Sequence, residues 1–347
     1  MPDCDAPLPI EGVERRQQMK VSVVIPTKNP GLIFRSVLPA VLAQKTSFPF
    51  DVLVVDSGST DGTVEYVNAC TNHRLRLHRI PPTAFGHGRT RNLAVSMTDG
   101  EYVAMITHDA LPENEHWLTR LVEVADSDPA IAGVFGRHIA YPEADPYTKR
   151  DLARHFQNFA HEPIVHLADV ARFKADAGYR QYLHFFSDNN ALIRRSVWAS
   201  LPYPDVDFAE DQLWAQRVIE AGWKKAYAHD ACVFHSHDFH AMELLRRSFD
   251  ESHALYRLFG YVLVPSLKHL IGTWLRCSWA DLRYGWRCNV WKQDIRAILV
   301  RPVDNLLRSC GHFLGSRPHR ISPKMRLWLS RDKRLMGALN QSDRTEG

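Results

Sequence analysis

KVSVVIPTKN, residues 20–29, opens on a β-branched apolar run and closes on Pro-Thr-Lys-Asn. A short Val/Ile run stopped by turn formers reads as a buried strand that delivers a polar loop. The same shape returns in DVLVVDSGSTDGT (51–63) and in YVAMITHDALP (102–112). Helical spacing lies between and beyond them, in LIFRSVLPAVLAQ (32–44), TVEYVNAC (63–70), RTRNLAVSM (89–97) and EHWLTRLVEVADS (115–127). The Ser-Thr-Asp-Gly cluster before TVEYVNAC is a helix-start signal. RLRLHRI (74–80) and IAGVFGRHIA (131–140) add two more strands. Strands alternating with helices predict an α/β fold, a parallel sheet with helices on both faces. Ligands of such sheets sit beyond the carboxyl ends of the strands. Three of those ends carry polar clusters: Pro26–Asn29, Asp56–Ser59 and Thr107–Asp109.

Residues 141–186 are polar, aromatic-rich and weakly periodic, which suggests an insertion or acceptor-side segment with some helix. NALIRRSVW (190–198) is a strand or a helix start, and DFAEDQLWAQRVIEAGW (207–223) is an acidic loop entering a helix. KKAYAHDACVFHSHDF (224–239) is a strand ending in histidines, and MELLRRSFDESHALYRLFGYVL (242–263) is a long helix. The remainder is rich in Trp, Leu and Arg and reads as short helical pieces. The first 19 residues are polar and proline-rich, without the apolar core of a signal peptide, and read as a loose leader. No apolar run is long enough for a transmembrane helix.

The six cysteines are scattered without a CxxC pair, which argues against a disulfide framework or zinc ribbon and for free thiols in a reducing compartment. The net charge of +4 is uneven: from Gly260 onward it is about +10, and the rest carries about −6. A basic end on an acidic body calls for an anionic partner. Trp274, Trp279, Trp286 and Trp291 stand among its arginines, suited to an interfacial membrane surface or to a helical subdomain that packs them inside. Nucleic acid would suit the charge, but no nucleic-acid motif is present.

Five clusters carry candidate chemistry. Asp56, after VLVV, can accept from a ribose or a base N–H, or cap the helix that follows. No GxGxxG turn precedes it, which speaks against a nicotinamide dehydrogenase. In FGHGRTRNLA (85–94), Arg89 and Arg91 precede a helix and can face a diphosphate, or be solvated. Asp109 can ligate a hard divalent cation or close a turn. In AEDQLW (209–214) the adjacent acids favour the helix dipole. Their side chains diverge by roughly 100°, so Glu210 and Asp211 serve different ends, one of them a general base. In VFHSHDFH (233–240), His235 and His237 point the same way if extended, as metal ligands or phosphate contacts.

In combination, VSVVIPTKN, DVLVVDSGSTDGT, GRTRN, the acid at the end of YVAMITHD and the ED pair resemble the family 2 glycosyltransferases over about residues 20–240. FGHGRTRNLA, THDALP, SDNNALIRRSVWASLPYPDVDFAEDQLWAQRVIEAGW and VFHSHDF look like its bacterial rhamnosyltransferase branch. The resemblance implies a GT-A fold, a Rossmann-like, mostly parallel sheet flanked by helices, spanning 20–240. The leader 1–19 precedes it and a basic, mostly helical region, 241–347, follows. It implies inverting transfer of a sugar from a nucleoside-diphosphate donor with Mg²⁺ or Mn²⁺.

Carried over residue by residue, Pro26, Thr27 and Asn29 match the first nucleotide loop. Asp56 and Ser57 match the base and ribose contacts, and Arg91, Asn92 and His108 stand near the nucleotide. Asp109 matches the last acid of the metal motif, whose first position here is Thr107. His235, then His237, are further metal-ligand candidates. Asp211 matches the catalytic base, with Glu210 beside it. The implied pathway is rhamnosyl transfer from dTDP-rhamnose onto a glycan or lipid-linked acceptor of O-antigen or exopolysaccharide. The enzyme would be cytoplasmic, in peripheral contact with the inner membrane through its basic end. The alternatives are a UDP-hexose or UDP-N-acetylhexosamine transferase of the same fold, or a non-catalytic sugar-nucleotide-binding scaffold.

Overall fold

A computed structural model describes residues 19–332, apart from Asp207, His240 and the side chain of Gln293. Nearly all of the expected leader, and residues 333–347, lie outside the described residues.

The KVSVVIPTKN run forms β1 (Val21–Thr27), and all but Pro26 of it is buried. It pairs in parallel with β2 (Phe50–Asp56) and β4 (Tyr102–Ile106), and β2 pairs in parallel with β3 (Leu75–Arg79). Three helices connect them: α1 (Phe34–Leu42), α2 (Thr63–Ala69) and α3 (His87–Ser96). Successive side chains of a strand point to opposite faces. Val23 and Ile25 therefore join Phe34 and Leu38 in one core, while Val24 joins Leu53, Val103 and Ala94 in the other. Both faces of the sheet are thus covered, as the alternation predicts.

The second half of the sheet departs from the parallel expectation. After β4 come β5 (Leu111–Pro112), α4 (Trp117–Asp126) and β6 (Ile131–Ile139). The chain then makes an excursion through α5 (Pro146–Ala160), β7 (Ile164–Val165), α6 (Val170–Ala175) and α7 (Ala177–His184). It returns as β8 (Asn190–Arg194), followed by α8 (Arg195–Ser200), α9 (Glu210–Glu220) and β9 (Lys224–Phe234). The strand order is β3-β2-β1-β4-β8-β6-β9-β5, with β7 also on β9. β8 runs antiparallel to both β4 and β6, and β6 is parallel to β9. The sheet is therefore mixed. The excursion ends at the edge where it began, so β8 re-enters without a crossover helix, as an antiparallel strand can. Asn190 fixes this insertion: its amide donates to the Ala231 and Arg137 carbonyls, and its Oδ1 accepts from Trp117 Nε1 at 2.8 Å.

The C-terminal region is more continuous than short pieces. It forms α10 (Ala241–Phe259), α11 (Leu267–Arg287), α12 (Val290–Gln293), α13 (Ile295–Gly315) and α14 (Pro323–Leu329). α10 and α13 meet through Gly311 and Gly315, where an added Cβ would fall within 2.5 Å of the Leu245 and Phe249 carbonyl oxygens. Ion pairs, partly to largely shielded from solvent, bind the region to the excursion: Arg150–Asp281 and Arg301–Asp145, both at 2.7 Å. Of the four tail tryptophans, Trp274 turns inward and donates to the Pro302 carbonyl, whereas Trp279, Trp286 and Trp291 are exposed.

Candidate active site

β1, β2, β4, β6 and β9 deliver their carboxyl ends, and β8 its amino end, to one edge of the sheet. A cleft of about 450 Å³ opens there. Pro26, Thr27, Lys28 and Ser57 line one side, and Phe85, Phe185, Phe186 and Phe208 supply apolar wall. Arg91, His108, Asp109, Glu210, Asp211, His235 and His237 line it as well. Residues scattered over 200 positions of chain thus meet in one hollow.

Three expected nucleotide contacts do not line the cleft. Asp56 is fully buried; its Oδ1 accepts from the Gly58 and Ser59 amides at 3.0 Å, holding the loop that presents Ser57. It caps this loop rather than the helix after it. Asn29, at φ 45°, accepts from the Thr60 amide at 2.7 Å and ties the two nucleotide-side loops together. Asn92 accepts from Trp198 Nε1 and the Tyr203 amide, and so anchors α3 to the chain before α9. A short polar side chain beside a turn looks the same in sequence whether it serves a ligand or its own backbone.

At the end of β4, Asp109 faces the two histidines beyond β9. His237 Nε2 lies 3.3 Å from Oδ2 and His235 Nε2 3.6 Å from Oδ1. One donor atom from each of the three falls within 4.8 Å of the others. Burial pushes Asp109 up, but the hydrogen bond from His237 and the nearby His235 and His108 outweigh it and hold the carboxyl well below its ordinary range. Burial brings His235 down to about 4, against the pull of Asp109, so its imidazole is neutral near pH 7. Tyr141, at the start of the excursion, donates to the Asp109 carbonyl at 3.1 Å.

On the opposite wall, Arg91 is buried between two acids. Its Nη1 meets Glu210 at 2.6 Å, and its Nε makes an ion pair with Asp188 at 2.9 Å whose angle falls short of a hydrogen bond. Burial disfavours the guanidinium charge, but Glu210 and Asp188 more than restore it. Tyr203 donates to Asp188 at 2.8 Å, and the Asp188 amide donates to Asp211 at 3.3 Å. Asp188 is raised to about 6, by burial first, with Glu210 adding to it and Arg91 opposing. Burial, then the charges of Glu210 and Asp188, push Asp211 well above the usual carboxyl value. Ala209, the residue before α9, sits at φ 55° in the left-handed region. That is costly for a residue with a Cβ, and it turns the first acids of α9 into the cleft.

The family model for glycosyl transferase family 2 matches residues 22–201. The chain belongs to that family. It is 36% identical over 238 residues to the O-antigen chain rhamnosyltransferase RfbN of Salmonella typhimurium, covering 67% of this chain and 71% of the relative. Identity to the O-antigen chain rhamnosyltransferase WbaN of Salmonella anatum is 32% over 232 residues, covering 66% and 70% of the two chains. The Staphylococcus aureus TarS 1–349 structure in complex with UDP-GlcNAc superposes with a TM-score of 0.50 at 18% identity. That match covers 90% of this chain and 86% of that one, a likeness of fold. This family 2 enzyme is a glycosyltransferase with the GT-A fold.

Three contributors to the site escape a reading of the sequence. Asp188 sits in SDNN, where an acid ahead of a strand looks like an ordinary turn residue. Lys28 and Arg247 both line the cleft and have no ion-pair partner among the described residues. Arg247 comes from α10, one of many arginines on C-terminal helices, and only the tertiary path shows that it reaches the cleft.

Proposed function

We propose that the enzyme transfers rhamnose, with inversion, from a nucleoside-diphosphate donor to a glycan or lipid-linked acceptor of a bacterial surface polysaccharide. The observation that carries this reading is that Asp211 and the Asp109–His235–His237 group share one cleft. The choice of rhamnose and of surface polysaccharide is supported by the two rhamnosyltransferase relatives. We take residues 20–240 as the transferase domain and 241–347 as an accessory region. No described helix is long and apolar enough to cross a membrane, and the charge of the accessory region favours contact with an anionic surface.

The roles follow from charge. An acceptor hydroxyl is a poor nucleophile, and Asp211 takes its proton as it attacks the anomeric carbon. The high proton affinity that burial, Glu210 and Asp188 give Asp211 suits a base working near neutral pH. Glu210 and Asp188 hold Arg91, which fixes the position of the base; Arg91 is the brace of this wall rather than the diphosphate contact. Among the described residues lining the cleft, Lys28 and Arg247 are the Lys/Arg side chains left without an ion pair, and they are assigned to the leaving diphosphate. One carboxylate and two imidazoles fit a divalent cation, and imidazole donors suit Mn²⁺ better than Mg²⁺. Bound there, such an ion would offset charge on the diphosphate oxygens. Pro26, Thr27, Ser57 and His108 border the nucleotide, with Asp56, Asn29 and Asn92 shaping the loops behind them.

The test is a donor screen with Mn²⁺ or Mg²⁺ across dTDP-rhamnose, UDP-hexose, UDP-N-acetylhexosamine and GDP sugars. Turnover is expected with dTDP-rhamnose. Turnover with a UDP sugar alone would select the alternative donor, and none with any would favour a binding scaffold. Asp211→Asn should cut transfer by about 10²–10⁴ while donor binding by calorimetry stays nearly intact.

A further inference from the structure

The C-terminal helices leave an apolar surface that no described residue covers. Along α11, Leu267, Ile271, Leu275, Trp279, Leu282 and Trp286 recur every three or four residues, and all are exposed, Trp279 at 67% and Trp286 at 71%. That spacing keeps them on one stripe. The buried residues Leu270, Ser278, Asp281 and Gly285 run along the adjoining border of the stripe, where the helix packs on the protein. Trp286 stacks on Trp291 at 5.6 Å and extends the surface onto α12. α13 adds exposed Ile295, Leu299 and Val303 at four-residue steps. A helix of a water-soluble protein ordinarily buries such a stripe, so its exposure marks an interaction site.

The charges identify the partner. Lys268, Arg276, Arg283 and Arg287 are exposed on the same helix, and none has an ion pair with a described residue. At 100° per residue the three arginines fall along one border of the stripe. The acids of these helices turn away from solvent or are occupied. Asp281 is held by Arg150 and by Asn305 at 2.8 Å, Asp304 is buried, and Asp294 accepts from the Arg296 and Ala297 amides at the start of α13. The surface therefore shows tryptophans and bare cations, while Asp281 and Asp304 are buried and the exposed Asp294 is engaged by backbone amides. A second copy of the chain would set these cations against their own kind. An anionic bilayer sets them against phosphates and offers tryptophan the headgroup boundary it favours.

We propose that α11, α12 and the exposed side of α13 dock on an anionic lipid surface, with α11 lying in the headgroup plane and Trp279 and Trp286 as its anchors. A helix of that length spans about 30 Å of interface. The proposal gives the lipid-linked acceptor reading a physical address, but its evidence is separate from the cleft. The test uses the full chain with vesicles of phosphatidylethanolamine containing a quarter phosphatidylglycerol, read by co-sedimentation and tryptophan fluorescence. Binding with a blue shift is expected, weakened by salt and lost on phosphatidylcholine vesicles. Trp279→Ser with Trp286→Ser, or Arg283→Glu with Arg287→Glu, should each weaken partition by roughly ten-fold or more. Donor hydrolysis in solution should be unchanged in both. The proposal is overturned by absent binding, by equal binding to phosphatidylcholine, by variants that bind like the parent, or by a dimer in solution that the tryptophan variant dissolves. Hydrolysis is scored apart from binding: a parent enzyme that hydrolyses no donor refutes the sugar-transfer reading, whatever the vesicles show.

Discussion

Replacing Arg91 by methionine removes the cation that Asp188 and Glu210 share while keeping most of its apolar bulk. With contacts of 2.9 and 2.6 Å and an effective dielectric near 20, each pair has roughly 6 kcal/mol of Coulomb attraction. Desolvation of the three groups cancels most of this, and breaking such a buried pair typically costs about 3–5 kcal/mol. Without the cation, the carboxyl of Asp188 moves further above its unfolded value. A carboxyl raised in the folded state binds more protons folded than unfolded. The deficit is therefore full at pH values above its folded pKa and shrinks as pH falls through it. Asp188 already stands at about 6 in the parent, so in the variant the deficit should begin to close above that value and be largely closed once pH has fallen below it. Urea denaturation of parent and Arg91→Met at pH about 8 and about 5 reads this directly, with a large gap at the higher pH and a smaller one at the lower. Equal stability at both pH values, with donor affinity lost, would refute the reasoning and return Arg91 to the diphosphate.

Two further outcomes follow from the same walls. Asp109→Ala should abolish the Mn²⁺-dependent part of nucleoside-diphosphate binding by calorimetry; binding that is as tight in EDTA as in Mn²⁺ would remove the metal from the site. Glu210→Gln withdraws one of the charges that raise Asp211. The acid limb of the pH–rate profile, where the base becomes protonated, should then move to lower pH, and a limb that stays put would exclude Glu210 from setting that base.

The strand-and-loop rhythm of the first 140 residues was legible because a strand buried on both faces must be an uninterrupted apolar run, as VSVVI and VLVV are. The acids and histidines at strand ends were legible as a group for the same reason, since the fold brings such ends to one edge. Direction was not. Nothing in NALIR distinguishes an antiparallel strand from a parallel one, because burial on both faces gives either the same apolar content. Partner choice was also hidden. Arg91 beside Asn92 reads as a solvent-facing or ligand-facing cation until Asp188, 97 positions away, is seen against it. Asp56 is the opposite case: its bonds to amides two and three residues on are local, yet a loop cap and a ligand contact have the same residue pattern. The tail, expected as short helical pieces, holds two helices of 21 residues, and α13 runs through Pro302.

The reversed direction of β8 has a bearing on how this architecture can vary. Because β6 ends and β8 begins at the same rim, residues 140–189 form a detour whose two feet stand side by side at the mouth of the cleft. Apart from its feet, where Tyr141 holds Asp109 and Asp188 holds Arg91, such a detour can lengthen, shorten or change its side chains without shifting any strand that carries the nucleotide loops or Asp109. One sheet could in this way serve many alcohols, each met by a different detour, while the chemistry at the rim is left alone.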